Sequence, residues 1–162
     1  LGEKADITRN AIDLWRVLFG PYTDRKPKVA ILSAVETVVS NMPSTLDAAA
    51  LCKMADRGQI VGGLLDGPLA FDNAISSEAA KDKGIVSDVA GDADILIVPN
   101  FESGNALAKQ LIFLGKADAA GIVLGARVPV ILTSRADSTR TRIFSCAIAV
   151  GLSYARKEGK IK

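Results

Sequence analysis

Short apolar runs alternate along this chain with longer amphipathic segments, and this alternation limits the possible folds more than any other feature. Each run is bounded by turn residues, which is typical of a strand buried within a sheet. Buried strands that alternate with helices predict parallel β-α-β units. The predicted strands are 29–32, 60–65, 95–98, 119–124 and 128–132.

The intervening segments predict helices. The first carries Ile7, Ala11, Leu14, Trp15 and Leu18 at helical spacing, and these side chains are expected to form its buried face. The predicted helices cover 4–19, 45–57, 103–114 and 138–158, and 70–80 is predicted to be helical only in part.

Capping residues mark several of these helix ends. Ser44 and Ser103 are predicted N-caps, because their hydroxyls can accept the free N–H groups of a first turn. Gly58 is the expected residue after the second helix. The buried face of the last helix is predicted to be Ile143, Ala147, Ile148 and Leu152.

The pattern therefore predicts an α/β protein with an open, mostly parallel sheet and helices on both faces. Only three residues, 125–127, join the last two predicted strands, which is too short for a parallel crossover. These two strands are expected to form an antiparallel hairpin or to lie in separate positions. A hydrophobic content of 49% excludes a disordered chain, and 162 residues suit one domain, with room for a small appendage.

Charge and composition exclude several classes of function. The chain has 20 basic and 18 acidic residues, so its net charge of +2 gives no electrostatic case for binding nucleic acid or an anionic membrane. It contains no histidine, which excludes Ser-His-Asp and Cys-His nucleophile systems and histidine-ligated metal sites. We expect no metal site.

The two cysteines and the sequence at the N-terminus indicate the cellular compartment that we expect. Cys52 and Cys146 form no CxxC pair and no disulfide framework, which favours a reducing compartment, and both are expected to be small core residues. No apolar segment is long enough to span a membrane and no signal peptide is visible, so a cytoplasmic location is expected. The chain begins at Leu1 rather than Met, which indicates processing or a piece of a longer protein.

Polar residues follow the predicted strands, where open α/β sheets bind ligands. The segment 133–138 leads from a strand into the N-terminus of the long last helix, whose free N–H groups favour an anion. Arg135 adds a bidentate donor suited to phosphate or carboxylate, and Ser134 and Ser138 add hydroxyls. Alternatively, Asp137 or Ser138 caps the helix and Arg135 pairs with a carboxylate.

Two further groups are candidates for the same site. Ser103, Gly104 and Asn105 repeat the helix-start arrangement, and Lys109 lies about one and a half turns further on. Asp66 and Asp72 are candidate carboxylate bases, although Asp66 and Gly67 also suit an ordinary turn. Polar loops and simple helix caps also explain these residues, and for any single loop this structural interpretation is favoured.

Three longer strings carry a family resemblance. The segments LDGPLAFDNAIS (65–76), AGDADILIVPNFESGNALAKQLIFL (90–114) and GIVLGARVPVILTSRADSTRTRIFSCAIA (121–149) resemble the phosphate acetyltransferase/phosphate butyryltransferase family, and its butyryltransferase-like branch in particular. The resemblance covers nearly the whole chain from about Lys28.

The resemblance implies the isocitrate-dehydrogenase-like acyltransferase fold. Family members have about twice this length, with two α/β domains, a cleft between them, and a dimeric or larger assembly. This chain resembles their C-terminal half, the second domain. The implied division is an N-terminal helix and loop (1–27), an α/β domain (28–137) and a closing helix (138–162) that packs toward the absent first domain.

The resemblance also implies an activity and residue roles. Members exchange an acyl group, acetyl or butyryl, between coenzyme A and inorganic phosphate, with no bound cofactor. Arg135 would bind the phosphoryl group, Ser134 would stabilise the transition state, and Asp137 is the nearest candidate base. Thr141 stands where the acetyltransferases carry an aspartate, and Phe113 stands near the place of a second family arginine.

Two alternatives remain at this stage. Domains resembling this family are appended to some malic enzymes, where they sense acyl-CoA and support oligomerisation, and the missing acid at Thr141 would suit such a role. Decarboxylating dehydrogenases of the isocitrate type have a related architecture, but the sequence lacks a convincing set of metal-binding aspartates.

Overall fold

The computed structural model describes residues 1–161. Within them the helices are α1 (Gly2–Phe19), α2 (Pro43–Asp56), α3 (Phe71–Ile75), α4 (Ser77–Asp82), α5 (Phe101–Phe113) and α6 (Thr139–Lys157). The strands are β1 (Lys28–Leu32), β2 (Leu64–Leu69), β3 (Ile95–Ile97), β4 (Ile122–Val123) and β5 (Val130–Ile131).

A three-stranded parallel sheet of order β2-β1-β3 forms the centre of the molecule. Val29 of β1 pairs with Leu65 of β2 and with Ile95 of β3. Because β1 is covered on both faces, Val29, Ala30, Ile31 and Leu32 are all buried. The α/β class and the parallel pairing expected from the apolar runs are confirmed.

The last two strands do not join that sheet. β4 and β5 form a separate antiparallel pair in which Ile122 faces Ile131 and Val123 faces Val130. The antiparallel hairpin, one of the two arrangements expected for these strands, is confirmed, and it lies apart from the parallel sheet. Each strand has only two residues, and Val123, Val130 and Ile131 remain exposed.

β2 lies further along the chain than the apolar pattern predicted. Gly62 has φ +90°, a left-handed conformation that turns the chain before the strand starts at Leu64. The expectation that Asp66, Gly67 and Pro68 end the strand is wrong, since Asp66 pairs with Ala30. A Cβ at Gly67 would lie 2.7 Å from the Ile31 carbonyl oxygen, so glycine permits this close approach.

Two helices begin earlier than expected. α2 begins at Pro43 after Met42, and the side chain of Ser44 bonds to Ser33 at 2.7 Å instead of capping the helix. α5 is capped by Asn100, whose side chain accepts the Ser103 N–H at 2.9 Å, so Ser103 lies in the first turn. Gly58 follows α2 with φ +72°, as predicted.

The buried faces of the two long helices also differ from the prediction. On α1 the buried residues are Ala5, Thr8, Ile12 and Trp15, and the predicted Ile7 is 54% exposed. On α6 they are Ser145, Ala149, Leu152 and Ala155, and the predicted Ile143 and Ala147 are exposed. The reason is that α6 packs against α1, where Gly151 faces Val17.

The opposite side of α6 is consequently open. It presents Ile143, Phe144, Val150 and Tyr154, each more than a third exposed. Cys146, expected in the core, lies on the same open side. Among the described helices, none combines the length and the hydropathy needed to cross a bilayer.

Candidate active site

The carboxyl edge of the parallel sheet collects the loops that follow its three strands. β1 continues into Ser33, β2 into residues 70–73, and β3 into residues 98–100 before α5. Ser33 N–H donates to the Leu69 carbonyl at 2.9 Å, which ties the ends of β1 and β2 together. This edge is where an open α/β sheet places its ligands.

Four polar side chains meet beside β1 and β2 at this edge. Asn73 Nδ2 donates to Glu36 Oε2 at 3.4 Å. Lys83 Nζ lies 3.6 Å from the same Glu36 oxygen and 3.3 Å from Asp72 Oδ2. We call Glu36, Asp72, Asn73 and Lys83 the edge cluster. Among them, only Asp72 was predicted from the sequence as a candidate base.

Two members of the edge cluster are unusual. Asn73 is fully buried, yet within the described residues its Oδ1 has no hydrogen-bond partner. A buried acceptor in this state costs about 1–3 kcal/mol of stability. Desolvation raises the pKa of the Asp72 carboxyl, but the Asn73 backbone N–H and Lys83 outweigh it, so the net pKa is lowered.

The start of α5 follows β3 at the same edge. The Ser103 hydroxyl is committed to the cap, since it donates to Asn100 Oδ1 at 2.9 Å. Gly104 packs closely on Val98, where a Cβ would lie 2.7 Å from Val98 Cγ2. Asn105 is exposed, and the Lys109 ammonium lies 5.8 Å from the centre of the Phe113 ring.

Asp66 does not reach this edge. It lies within β2 opposite Ala30, and its carboxylate accepts the N–H of Gly67 at 2.8 Å. Asp66 lines a cavity of about 450 Å³ together with Lys26 and Asp88. The structure therefore separates Asp66 from the loops with which the sequence analysis grouped it.

The junction between β5 and α6 forms a compact turn. Asp137 Oδ2 accepts the Ser134 N–H at 2.6 Å, and Asp137 N–H donates to the Ser134 carbonyl at 3.1 Å. Ser138 caps α6 by accepting the Thr141 N–H at 3.1 Å. The predicted cap at Ser138 is confirmed, and Asp137 closes the turn before it.

Arg135 projects from this turn. It is exposed, and within residues 1–161 its guanidinium has no ion-pair or hydrogen-bond partner. Thr141 is held by its own bond to the Ser138 hydroxyl at 3.0 Å. The junction thus offers a free guanidinium beside a helix N-terminus, which is chemistry suited to an anion.

Two arginines near this junction were missed by the sequence analysis. Arg140 pairs with Asp118 at 2.8 Å and stacks over Phe144, while Arg142 lies exposed one turn into α6. Their close spacing after Arg135 was a visible signal of positive charge. Arg140 is occupied by Asp118, so it adds less to an anion site than Arg135.

A larger cavity than the one beside Asp66 lies elsewhere. It has a volume of about 1040 Å³ and is lined by residues of α1, the loop after it and the end of α6, including Trp15, Arg16, Tyr154 and Lys160. Gly151 is the first α6 residue in the lining of this cavity, and it lies about 20 Å from Ser138 at the usual helical rise. It is not part of the β5–α6 junction.

Cys52 lacks the surroundings of a nucleophile. Burial and the nearby carboxylates of Asp66 and Asp56 raise the pKa of the Cys52 thiol to about 12, so it stays protonated at neutral pH.

Among the described residues, no group of three histidine, cysteine or acidic side chains is arranged to hold a metal ion.

A sequence model described as phosphate acetyl/butaryl transferase matches residues 1–150. The chain belongs to this family. Its members include a phosphate acetyltransferase of Rhizobium meliloti, which is 63% identical over 161 residues, covering 99% of this chain and 50% of the relative. A phosphate butyryltransferase of Clostridium acetobutylicum is 48% identical over 149 residues, covering 92% of this chain and 48% of the relative.

Solved structures agree with the family. A branched-chain phosphotransacylase from Enterococcus faecalis superposes with a TM-score of 0.80 at 36% identity, over 91% of this chain and 51% of that one. A phosphotransacetylase from Streptococcus pyogenes superposes with a TM-score of 0.77 at 29% identity, over 94% of this chain and 45% of that one. The chain spans about half the length of the curated relatives it matches.

The identities bear on the branch within the family. The expected closeness to the butyryltransferase-like branch stays a prediction, since the relatives named phosphate acetyltransferase include several at 62–63% identity. Those named phosphate butyryltransferase are 48% and 53% identical. Relatives of both names are therefore similar to this chain.

Proposed function

We propose that the full-length protein containing this chain transfers a short acyl group between coenzyme A and inorganic phosphate, giving acyl phosphate and free coenzyme A. The observation that carries the proposal is Arg135, exposed and unpaired among the described residues beside the N-terminus of α6. Membership of a family whose members are named for this transfer supports it. Acetyl is the proposed acyl group, with butyryl as the second candidate.

The proposed chemistry uses binding and charge stabilisation. The Arg135 fork and the free N–H groups at the start of α6 hold the phosphoryl oxygens, and the Ser134 hydroxyl stabilises negative charge on the acyl oxygen. The thiol attacks the acyl carbon directly, so the protein forms no covalent intermediate. Positioning the two substrates supplies most of the rate.

The proposed site extends to the carboxyl edge of the sheet. Asn105 and Lys109 are proposed to contact substrate, because both lie on α5, which begins at that edge. Ser103 and Gly104 contribute by fixing the first turn of α5, since the Ser103 hydroxyl is already bonded to Asn100. Asp66 has no part in this proposal.

Exposed apolar side chains support the proposal that this chain packs against further protein. β4, β5 and the outer side of α6 expose Val130, Ile131, Phe144 and Val150, and exposed apolar side chains of this kind suit an interface with further protein. We propose that α6 and its flanking residues 138–162 pack against the remaining half of the protein, with residues 28–137 as the α/β domain, and that the protein is a cytoplasmic homodimer or larger assembly.

An assay of the full-length protein tests the proposed activity. Incubation with acetyl-CoA or butyryl-CoA and phosphate should give the matching acyl phosphate, with a higher kcat/KM for acetyl-CoA. An acyl-CoA-sensing domain, the other candidate, would bind acyl-CoA without forming either acyl phosphate. Activity with neither acyl-CoA would contradict the proposal.

The role of Asp137 follows from its contacts. Its carboxylate is occupied by the Ser134 N–H, so we expect a positioning role in the turn and no role as a base. Asp137→Asn keeps an oxygen acceptor, and we expect kcat within a few-fold of wild type and a stability loss of about 1 kcal/mol or less. Steady-state kinetics and thermal melts of the full-length variant check this.

A general base at Asp137 would give a different result. Loss of the carboxylate would then lower kcat by roughly 100-fold with little change in melting temperature. Asp118→Asn is a suitable comparison, because Asp118 also supports this region through its ion pair with Arg140 but does not touch the turn itself.

A further inference from the structure

The edge cluster holds a carboxylate at the carboxyl edge of the parallel sheet. Glu36 follows β1, the central strand, and Asn73 follows β2, its neighbour in the sheet. Asn73 Nδ2 donates to Glu36 Oε2 at 3.4 Å, and Lys83 Nζ lies 3.6 Å from the same oxygen. A neutral amide and a cation therefore orient one carboxylate where ligands of such sheets bind.

Only the nitrogen of the buried Asn73 side-chain amide forms a hydrogen bond among the described residues. Its side chain is fully buried and bonded to Glu36 through nitrogen, while Oδ1 has no partner among the described residues. Such exceptions among buried polar groups call for a functional explanation. An amide can serve both states of a carboxyl group, because its N–H donates to the carboxylate and, after rotation, its oxygen accepts from the acid. Asn73 is thus suited to a carboxyl that gains and loses a proton.

Glu36 is also accessible. Its side chain is 31% exposed, so a thiol could approach it from the edge. The charged groups placed around it are Lys83, on the loop after α4, and Asp72, on α3, which itself lies 3.3 Å from Lys83. Asp137 differs in the strength of its contact, because a backbone N–H holds its Oδ2 at 2.6 Å, whereas Asn73 Nδ2 lies 3.4 Å from Glu36 Oε2.

We propose that Glu36 is the general base that takes the proton of the coenzyme A thiol, an inference that rests on the proposed function. As the sulfur electron pair forms the S–C bond to the acyl carbon, the thiol proton passes to the Glu36 carboxylate. The acyl C–O bond breaks with its electrons on phosphate, which then receives the proton from Glu36. In the reverse direction, protonated Glu36 returns the proton to the departing thiolate. No oxidation or reduction occurs.

Glu36→Gln in the full-length protein tests this role. We expect kcat to fall about 100-fold at pH 7, with KM for phosphate within about twofold of wild type. The deficit should shrink as the pH rises past about 8.5, because the thiol then ionises without a base. Asp82→Asn, which removes an exposed carboxylate at the end of α4, is the matched control and should behave as wild type.

A second variant, Glu36→Ala, tests the same role if Glu36→Gln does not fold. Glu36→Ala should be slow at pH 7 and should be accelerated severalfold by added formate, which can replace the missing carboxylate. A purely structural role predicts no rescue by formate and the same deficit at pH 7 and pH 9.5. Either of these results, or a Glu36→Gln variant with wild-type kcat, overturns the assignment of Glu36 while wild-type turnover upholds the transfer activity. A wild-type protein without turnover overturns both.

Discussion

Arg135→Ala in the full-length protein should lower kcat by roughly 100-fold and raise KM for phosphate or acyl phosphate. The side chain is exposed and unpaired in the described part of the chain, so its removal breaks no internal contact. The loss of rate should therefore come from weaker binding and stabilisation of the negatively charged phosphoryl group. The affinity for coenzyme A should change far less, because the lost cation serves the other substrate.

Two further variants sharpen this result. Arg135→Lys should recover only part of the rate, since an ammonium cannot reproduce the bidentate fork of a guanidinium. Arg57→Ala, at the end of α2, removes an equally exposed arginine far along the chain from the β5–α6 junction and should leave the kinetics unchanged. Normal kinetics together with a large drop in Tm for Arg135→Ala would show that Arg135 is a structural residue.

The isolated chain of 162 residues should have little or no transferase activity. It spans about half the length of its relatives, and the apolar side chains on α6 and on the β4–β5 pair lack cover. A site built from two halves would lose substrate contacts and exclusion of water together. We expect turnover far below the value of about 10 per second typical of enzymes.

The measurement needs a folded chain. Circular dichroism should first show the helix content of α1 to α6, and the full-length protein should be assayed in parallel under the same conditions. Acyl phosphate formation by the isolated chain at about 10 per second would mean that residues 1–162 hold a complete site. The proposal that α6 packs on the remaining half would then fall.

The parts of the fold that could be predicted are those with local causes. The run 29–32 predicted β1 because all of its central residues are buried on both faces of the sheet. Ser138 was predicted as a cap because its hydroxyl and the N–H group that donates to it lie within one turn. β2 was misplaced because the left-handed turn at Gly62 moves its start to Leu64, and the apolar pattern carries no sign of that turn.

The candidate site was predictable to a similar extent. Arg135 could be found because a strand end and a helix start meet around it in sequence. The contact between Glu36 and Asn73 could not be found, since the two residues are 37 positions apart and meet only through the parallel pairing of β1 with β2. The buried face of α6 was wrong because packing on α1 sets it, and the apolar periodicity of α6 does not distinguish its inner face from its outer one.

The central claim is that acyl transfer from coenzyme A depends on phosphate. The most direct measurement incubates acetyl-CoA with the full-length protein, with and without phosphate, and follows free thiol and acyl phosphate in the same samples. The proposed activity predicts that both products form in equal amounts and only when phosphate is present. Release of thiol without acyl phosphate would indicate hydrolysis, and tight acyl-CoA binding with neither product would indicate a sensing domain. Either result would contradict the proposed function.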